Sequence, residues 1–253
     1  MIGLIGGMAA AGAAVALTGG APLAGSFPIV ELRQYTLHDG QRDTLVHLFE
    51  REFVGPQEAL GMKVIGTYRD LDRPNRFVWI RGFTDMDARL AGLSAFYSGP
   101  VWQAHRSEAN ATMIDSDNVL LLHAPVRAAN FKPEPARPAI GEKRAAGRII
   151  ANIYYLNAGD ADVATRFERD AVPKLRASSV PVLAWFTSET AANNYPRLPV
   201  REGERVLVWF TRFHDDAEYE ARKGAIESAA AGLSLAGKPE VLRLEPTDRS
   251  ELR

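Results

Sequence analysis

Two short β-rich segments place arginines and aromatic rings at alternate positions, and this pattern holds most of the chemical potential of the chain. Period-two alternation along Ile29 to Leu37 puts Glu31, Arg33 and Tyr35 on one face and Leu32 and Gln34 on the other. Along Arg76 to Phe83 it groups Phe77, Trp79, Arg81 and Phe83 opposite Val78 and Ile80. Arg33, Tyr35, Trp79 and Arg81 are therefore the candidate ligand-binding set. A guanidinium pair inside an apolar wall is costly unless it meets a carboxylate, a phosphate or water. Two readings stand: arginines satisfied by Glu31 or by carbonyl groups, or arginines that hold a small anionic or aromatic ligand.

No catalytic residue can be assigned outright, and the candidates are Tyr35 and His105. His105 lies in WQAHR, where it could act as an acid or base at a pocket mouth or be an ordinary surface histidine. The histidines at 38, 47, 105, 123 and 214 show no HxH or HExxH spacing, and there is no cysteine, so no metal site is expected. Thiol catalysis and disulfides are excluded on the same ground. No GxSxG elbow occurs, and nothing in the sequence calls for a cofactor.

The elements that must position these residues come in two versions. FEREFV at Phe49 to Val54 returns as FERDAV at Phe167 to Val172, and VIGTY at Val64 to Tyr68 returns as VLAWF at Val182 to Phe186, both displaced by 118 positions (49 to 167, 64 to 182). FVWIRGF at Phe77 matches LVWFTRF at Leu207, a displacement of 130, so the second copy carries a 12-residue insertion around Glu189 to Gly203. Repeats of this length are domains, not solenoid turns. In the second copy Asn152 and Thr211 stand where the first has Arg33 and Arg81, while Tyr154 and Trp209 keep the aromatic positions. A single site would thus belong to the first half.

Each half reads β-α-β-β-α-β, the split ferredoxin-like order. In the first half the strands are Ile29 to Leu37, Lys63 to Arg69, Arg76 to Phe83 and Asn118 to His123. The first helix carries the stripe Leu45, Leu48, Phe49 and Phe53 and is expected to break at Gly55-Pro56. A capping box at Thr84 to Asp87 opens the second, with Met86, Leu90, Leu93 and Tyr97 inward. A further short helix carries Val101, Trp102 and His105 and has no counterpart in the second copy. The domain plan is an apolar leader or tail at 1–27, a ferredoxin-like domain at 28–125, a Pro-rich linker at 126–146, a second such domain at 147–246 and a tail at 247–253.

A four-stranded sheet covered by helices on one face leaves an aromatic-bearing face that must be buried. The two sheets are therefore expected to pack face to face as an intrachain α/β barrel, class α+β. On this view the aliphatic strand faces meet the helices, and Arg33, Tyr35, Trp79 and Arg81 line a pocket between the sheets.

ELRQYTLHDG at Glu31, FEREFVGPQEALGM at Phe49, FVWIRGF at Phe77, FYSGPVWQAHRSEANATM at Phe96 and DNVLLLHAP at Asp117 occur in order, and together they resemble the NIPSNAP family across the first half. The resemblance implies the dimeric α/β-barrel fold and confers no reaction. Three functional readings follow: small-molecule binding between the sheets; a cofactor-free monooxygenase or haem-modifying enzyme, as in related barrel families; or a non-catalytic interaction scaffold.

Thirty basic residues interspersed with thirty-one acidic ones leave no basic stripe for nucleic acid. The uncharged, glycine-rich N-terminus does not suit stable membrane insertion. It resembles a truncated export signal, ending in Ala24-Gly25-Ser26 but lacking a basic start. Export to the periplasm and residence in the cytoplasm are the two options that follow, and monomer and homodimer both fit.

Overall fold

The computed structural model of the protein describes residues 26–132, 134, 136–142, 147–158 and 162–253. The apolar leader up to residue 25 and parts of the Pro-rich linker lie outside the described residues. Eight antiparallel strands close into one barrel in the order β1-β3-β2-β8-β5-β7-β6-β4. The strands are β1 (Ile29–Leu37), β2 (Lys63–Asp70), β3 (Arg76–Phe83), β4 (Met113–His123), β5 (Arg148–Tyr155), β6 (Ala184–Ser188), β7 (Val206–Phe213) and β8 (Glu240–Pro246). Strands β1–β4 form one half of the wall and β5–β8 the other. The two halves join along their edges, where Tyr68, Arg69 and Asp70 of β2 meet Pro246, Glu245 and Leu244 of β8. Leu122 and His123 of β4 meet Ser188 and Thr187 of β6 on the other side. Closure gives every strand two neighbours, although β6 pairs with β4 only at the end of that strand.

The strand faces are assigned opposite to the sequence-based expectation. Val30, Leu32, Val78 and Ile80 point into the barrel, where they pack with Ile149, Ala151, Ile153, Val208 and Phe210 from the other half. Tyr35, Phe77, Trp79 and Phe83 point outward, beneath helices that supply Leu45, Phe49, Phe53, Leu93 and Phe96. The second half repeats this, with Tyr154 and Trp209 under Phe167, Leu175 and Ile226. The physical reason is polar satisfaction. The lumen is filled mostly by aliphatic and Phe side chains with no carboxylate for a guanidinium, whereas the layer between sheet and helices contains helix-borne and loop-borne oxygen atoms. The pocket expected between the sheets does not form around these four residues.

Seven helices cover the wall among the described residues: α1 (Arg42–Leu48), α2 (Val54–Ala59), α3 (Met86–Ser98), α4 (Pro100–Ala111), α5 (Val163–Arg166), α6 (Val172–Ala177) and α7 (Asp216–Ala229). Gly55-Pro56 does not end the first helical segment. A π-helical turn over Phe49–Phe53 joins α1 to α2, and the same turn recurs at Phe167–Ala171 before α6. The wider turn lets the chain pass a proline, which lacks an N–H and would otherwise crowd the carbonyl four residues back.

Asp85, not Thr84, caps α3, its side chain accepting from the Ala88 N–H at 2.7 Å. The inner face is Arg89, Gly92, Leu93 and Phe96, and Leu90 points to solvent at 40% exposure. β4 begins at Met113, earlier than the apolar run Asn118 to His123 indicates, because its first half is polar and exposed. The last residues are built into the wall, for Leu252 is buried and its N–H donates to the Ile65 carbonyl at 2.9 Å. Among the described residues no helix is long and apolar enough to cross a membrane.

Candidate functional site

The layer between the first half of the wall and its helices contains a buried charge network. Glu31 on β1 is paired in register with Arg81 on β3, and Arg33 is paired with Trp79. One carboxylate serves three guanidiniums. Its Oε2 accepts from Arg33 Nη1 at 2.9 Å and from Arg81 Nη2 at 2.6 Å. Its Oε1 accepts from Arg89 Nε, on α3, at 2.8 Å. None of the four side chains is more than 1% exposed, so two positive charges are left in excess inside the protein.

Neutral groups share the remaining load. Arg33 Nε donates to the Tyr35 hydroxyl at 3.0 Å, and Arg81 Nη1 donates to Gln57 Oε1 on α2 at 2.8 Å. Arg89 Nη1 donates to Asn193 Oδ1 at 3.0 Å and Asn194 Oδ1 at 2.6 Å. The Trp79 ring lies 4.9 Å from the Arg81 guanidinium and 5.6 Å from that of Arg33, within cation–π range. Burial works to raise the Glu31 pKa, but attraction to Arg81, Arg33 and Arg89 outweighs it and holds the carboxyl far below the usual range. Burial likewise works to lower Arg33, yet its contacts with Tyr35 and Glu31 leave it raised. Arg89 is lowered on balance, by burial, with Glu31 opposing.

Beside this network lies a cavity. A mouth of about 190 Å³ is lined by Tyr35, Tyr97, Trp102, Met113, Arg106 and Arg197 among others. Tyr35, Tyr97, Trp102 and Met113 also line a smaller inner space of about 30 Å³, together with Phe49, Phe53, Gln57 and Trp79. The walls are aromatic edges set at steep angles: Tyr97 meets Trp102 at 4.9 Å and 76°, and Phe49 meets Trp79 at 4.7 Å and 64°. The Trp79 indole N–H has no hydrogen-bond partner among the described residues. Burial pushes the Tyr97 hydroxyl up, with Arg81 opposing, so it remains a proton donor at neutral pH.

Of the expected site residues, Tyr35 and Trp79 line this cavity. Arg33 and Arg81 lie behind it, occupied by Glu31, Tyr35 and Gln57. His105 lies outside it, with Nε2 3.5 Å from Glu52 Oε2 and its ring 6.3 Å from that of Phe53. Among the described residues no cluster of His, Asp and Glu could hold a metal ion.

Several site residues escape the sequence pattern. The loop between β6 and β7, around 189–203, folds across the helices that cover β1–β4. Glu189 N donates to Leu121 O at 2.9 Å and Arg201 N to Val119 O at 2.8 Å, fixing both ends of the loop to β4. Between them Asn194 Nδ2 donates to Met86 O at 2.5 Å, and Tyr195 stacks on Tyr97 at 6.1 Å and 25°. An insertion of known length but unknown direction gave no means to find these contacts. Arg89 had a signal, since it sits four residues before Leu93 on the inward face of α3, where a charge requires a partner.

A second opening, of about 360 Å³, lies at one end of the barrel among Phe27, Ile65, Phe131 and Leu252. Its charged rim is largely self-paired, Lys63 with Glu251 and Glu134 with Arg212. The aromatic cavity has the better claim to recognition chemistry because its rim is not neutralised in this way.

The molecule is thus a closed antiparallel α/β barrel with an aromatic cavity under the helices of its first half. Residues 30–126 match the NIPSNAP family model, and this part of the chain is a NIPSNAP domain. The fold is shared with a proposed monooxygenase from Fusobacterium nucleatum subsp. nucleatum, at 10% identity over 87% of this chain and 93% of that one, TM-score 0.57. It is also shared with a proposed monooxygenase from Lactobacillus acidophilus NCFM, at 13% identity over 87% and 94%, TM-score 0.53. A NIPSNAP family protein from Agrobacterium tumefaciens str. C58 covers 39% of this chain and 98% of its own at 21% identity, TM-score 0.36. No curated protein matches the sequence.

Proposed function

We propose that this protein binds a small aromatic molecule in the cavity between the first sheet and its helices, with the ring inserted between Tyr35 and Trp102 toward Trp79. The observation that carries this reading is the asymmetry of the two halves. On this view the chain is a pair of ferredoxin-like repeats, β4-β1-β3-β2 and β8-β5-β7-β6. The segments they do not share, α4 in the first and the insertion in the second, both contribute to the lining of this cavity. Additions that served only packing would have no reason to converge there. The Trp79 N–H offers a donor to a polar atom on the ring, and the Glu31 network fixes the strand positions from which Tyr35 and Trp79 project.

The test is tryptophan fluorescence titrated with 2-naphthamide, a neutral two-ring probe. Saturable quenching in the native protein, weakened at least tenfold in Trp102→Ala and Tyr35→Ala variants of native far-UV dichroism, is the expected result. Quenching unaffected by both substitutions would remove the proposal.

Oxygen-dependent oxidation of an aromatic substrate is the second reading. It is favoured by the shared fold with the two proposed monooxygenases and by the aromatic lining. Oxygen uptake with hydroxynaphthalenes as substrates, lost in Tyr35→Phe, is the measurement that would support it; no uptake leaves binding alone. The filled lumen suits the third reading, a non-catalytic scaffold, while the cavity under the helices favours binding.

A further inference from the structure

The cavity mouth carries two arginines of different origin. Arg106 lies on α4, on the face shared with Trp102 and Asn110 at four-residue spacing. Arg197 comes from the second copy's insertion. Both side chains line the mouth, with Gln103, Asn110 and Ser116 as further polar groups and no acidic residue in the lining. The nearby basic residues Arg33, Arg81 and Arg89 all have carboxylate partners. Arg106 and Arg197 are exposed, and neither has an ion pair or hydrogen bond among the described residues.

Arg197 is also held in place. Tyr195-Pro196-Arg197-Leu198 is a turn closed by the Leu198 N–H to the Tyr195 carbonyl at 3.0 Å, with proline at its second position. Its first residue is buried against Tyr97, and its last packs on the core of the first half. The Asn193 side chain clamps the turn from within, Nδ2 donating to Leu198 O at 2.9 Å and Oδ1 accepting from Tyr195 N at 3.1 Å. A guanidinium on a turn fixed at both ends loses less freedom on meeting a ligand than one on a loose loop.

We propose that the ligand is an aromatic carboxylate, its ring in the cavity and its anionic group at the mouth between Arg106 of the first copy and Arg197 of the second. This rests on the aromatic-binding reading above and adds the charge and the orientation of the ligand. It also transfers anion recognition from Arg33 and Arg81, whose donors are occupied, to a pair whose donors are not. A planar carboxylate is the anion that a guanidinium fork matches geometrically.

The experiment compares 2-naphthoate with its neutral isostere 2-naphthamide by the same fluorescence titration, in the native protein and in Arg106→Gln and Arg197→Gln. The expected results are tighter binding of the carboxylate by about tenfold and a loss of about fivefold for it in each variant, the scale of a partly exposed charge pair. Amide affinity should change less than about twofold, and the carboxylate preference should shrink as salt rises from 0.05 to 0.5 M, concentrations chosen to span the screening range. Equal affinities for the two probes, or a preference that survives both substitutions, would overturn the anionic assignment while leaving aromatic binding intact. Binding of neither probe would overturn both.

Discussion

Replacing Glu31 with glutamine should be among the most destabilising single changes available to this fold. The native carboxylate accepts from Arg33, Arg81 and Arg89 and has no exposed surface. Glutamine keeps the shape, but it removes the only negative charge among the described residues that pairs with these guanidiniums and turns one oxygen into an N–H₂ that faces their donors. Removing one partner of a buried ion pair costs about 3–5 kcal/mol. Three orphaned guanidiniums, rather than one, put Glu31→Gln toward the upper end, at about 4–5 kcal/mol. Against a typical total of about 5–15 kcal/mol, that is a large fraction of native stability. The melting temperature should fall by roughly 8–20 °C on the usual scaling for a chain of this size.

Denaturant and thermal unfolding of the two proteins at pH 7 measure the difference, and a loss below about 1.5 kcal/mol would refute the network as described. The pH dependence has a definite sign. The folded carboxyl titrates below its unfolded value, so its contribution is complete above about pH 4.3. It is lost as pH falls through the folded value. The gap between native protein and variant should therefore narrow only in strong acid. A second variant separates charge from packing. Glu31→Ile, Arg33→Asn, Arg81→Thr and Arg89→Tyr together install the residues found at Ile150, Asn152, Thr211 and Tyr219, the equivalent places in the second half. This quadruple variant should recover to within about 2 kcal/mol of the native protein, because exchanging a whole buried ion cluster for neutral groups is often neutral.

Other substitutions probe the remaining parts. A methyl group at Gly66 would lie 1.9 Å from the Tyr68 hydroxyl inside the lumen, so Gly66→Ala should cost about 1–3 kcal/mol by overpacking, read as a lower denaturation midpoint. Asn194→Ala removes a hydrogen bond to Arg89 and another to Met86 O. It should cost about 1.5–3 kcal/mol and raise amide exchange across Glu189 to Gly203, and unchanged exchange there would contradict the docking of this loop. Shortening the insertion to the length of the Leu71–Asn75 turn should leave a cooperative barrel by circular dichroism but abolish retention of 2-naphthamide.

The sequence carries the strands and the similar order of elements in the two halves because each leaves a local mark: alternation in Glu31 to Tyr35, the recurrence of FER at Phe49 and Phe167, and a jump from 118 to 130 in displacement. It also brings Arg33, Tyr35, Trp79 and Arg81 to one face, since alternation decides which residues share a side. Alternation does not decide which side is the lumen. Both faces of these strands are buried, so the usual contrast between apolar and solvated faces is absent. The choice then depends on whether enough partners exist for the arginines, and those beyond Glu31 and Tyr35, namely Gln57, Asn193 and Asn194, come from other elements of the chain. The helical passage through Gly55-Pro56 was illegible for a related reason, because a π-turn is a rearrangement of hydrogen bonds with no residue signature of its own.

The position of the insertion follows from how the barrel closes. Pairing of β4 with β6 places the connection after β6 directly over the first half, so lengthening that connection builds onto the first half's helical layer and not onto its own. The equivalent connection in the first copy, between β2 and β3, is directed by the β2–β8 pairing toward the second half. It is short and reaches only the edge strand there, where Leu71 N donates to Arg243 O at 2.9 Å and Asp72 pairs with Arg243. An equivalent cavity on the second half would therefore need a longer β2–β3 turn and a helix in the place of α4, and neither is present among the described residues. The cavity is thus built unequally: the β1–β4 half supplies the sheet, the aromatic walls and Arg106, and the loop after β6 supplies Arg197. With Ile150, Asn152, Thr211 and Tyr219 under its helices, the second half holds no buried guanidinium cluster of this kind among the described residues, and so needs no asparagine-bearing strap to satisfy one.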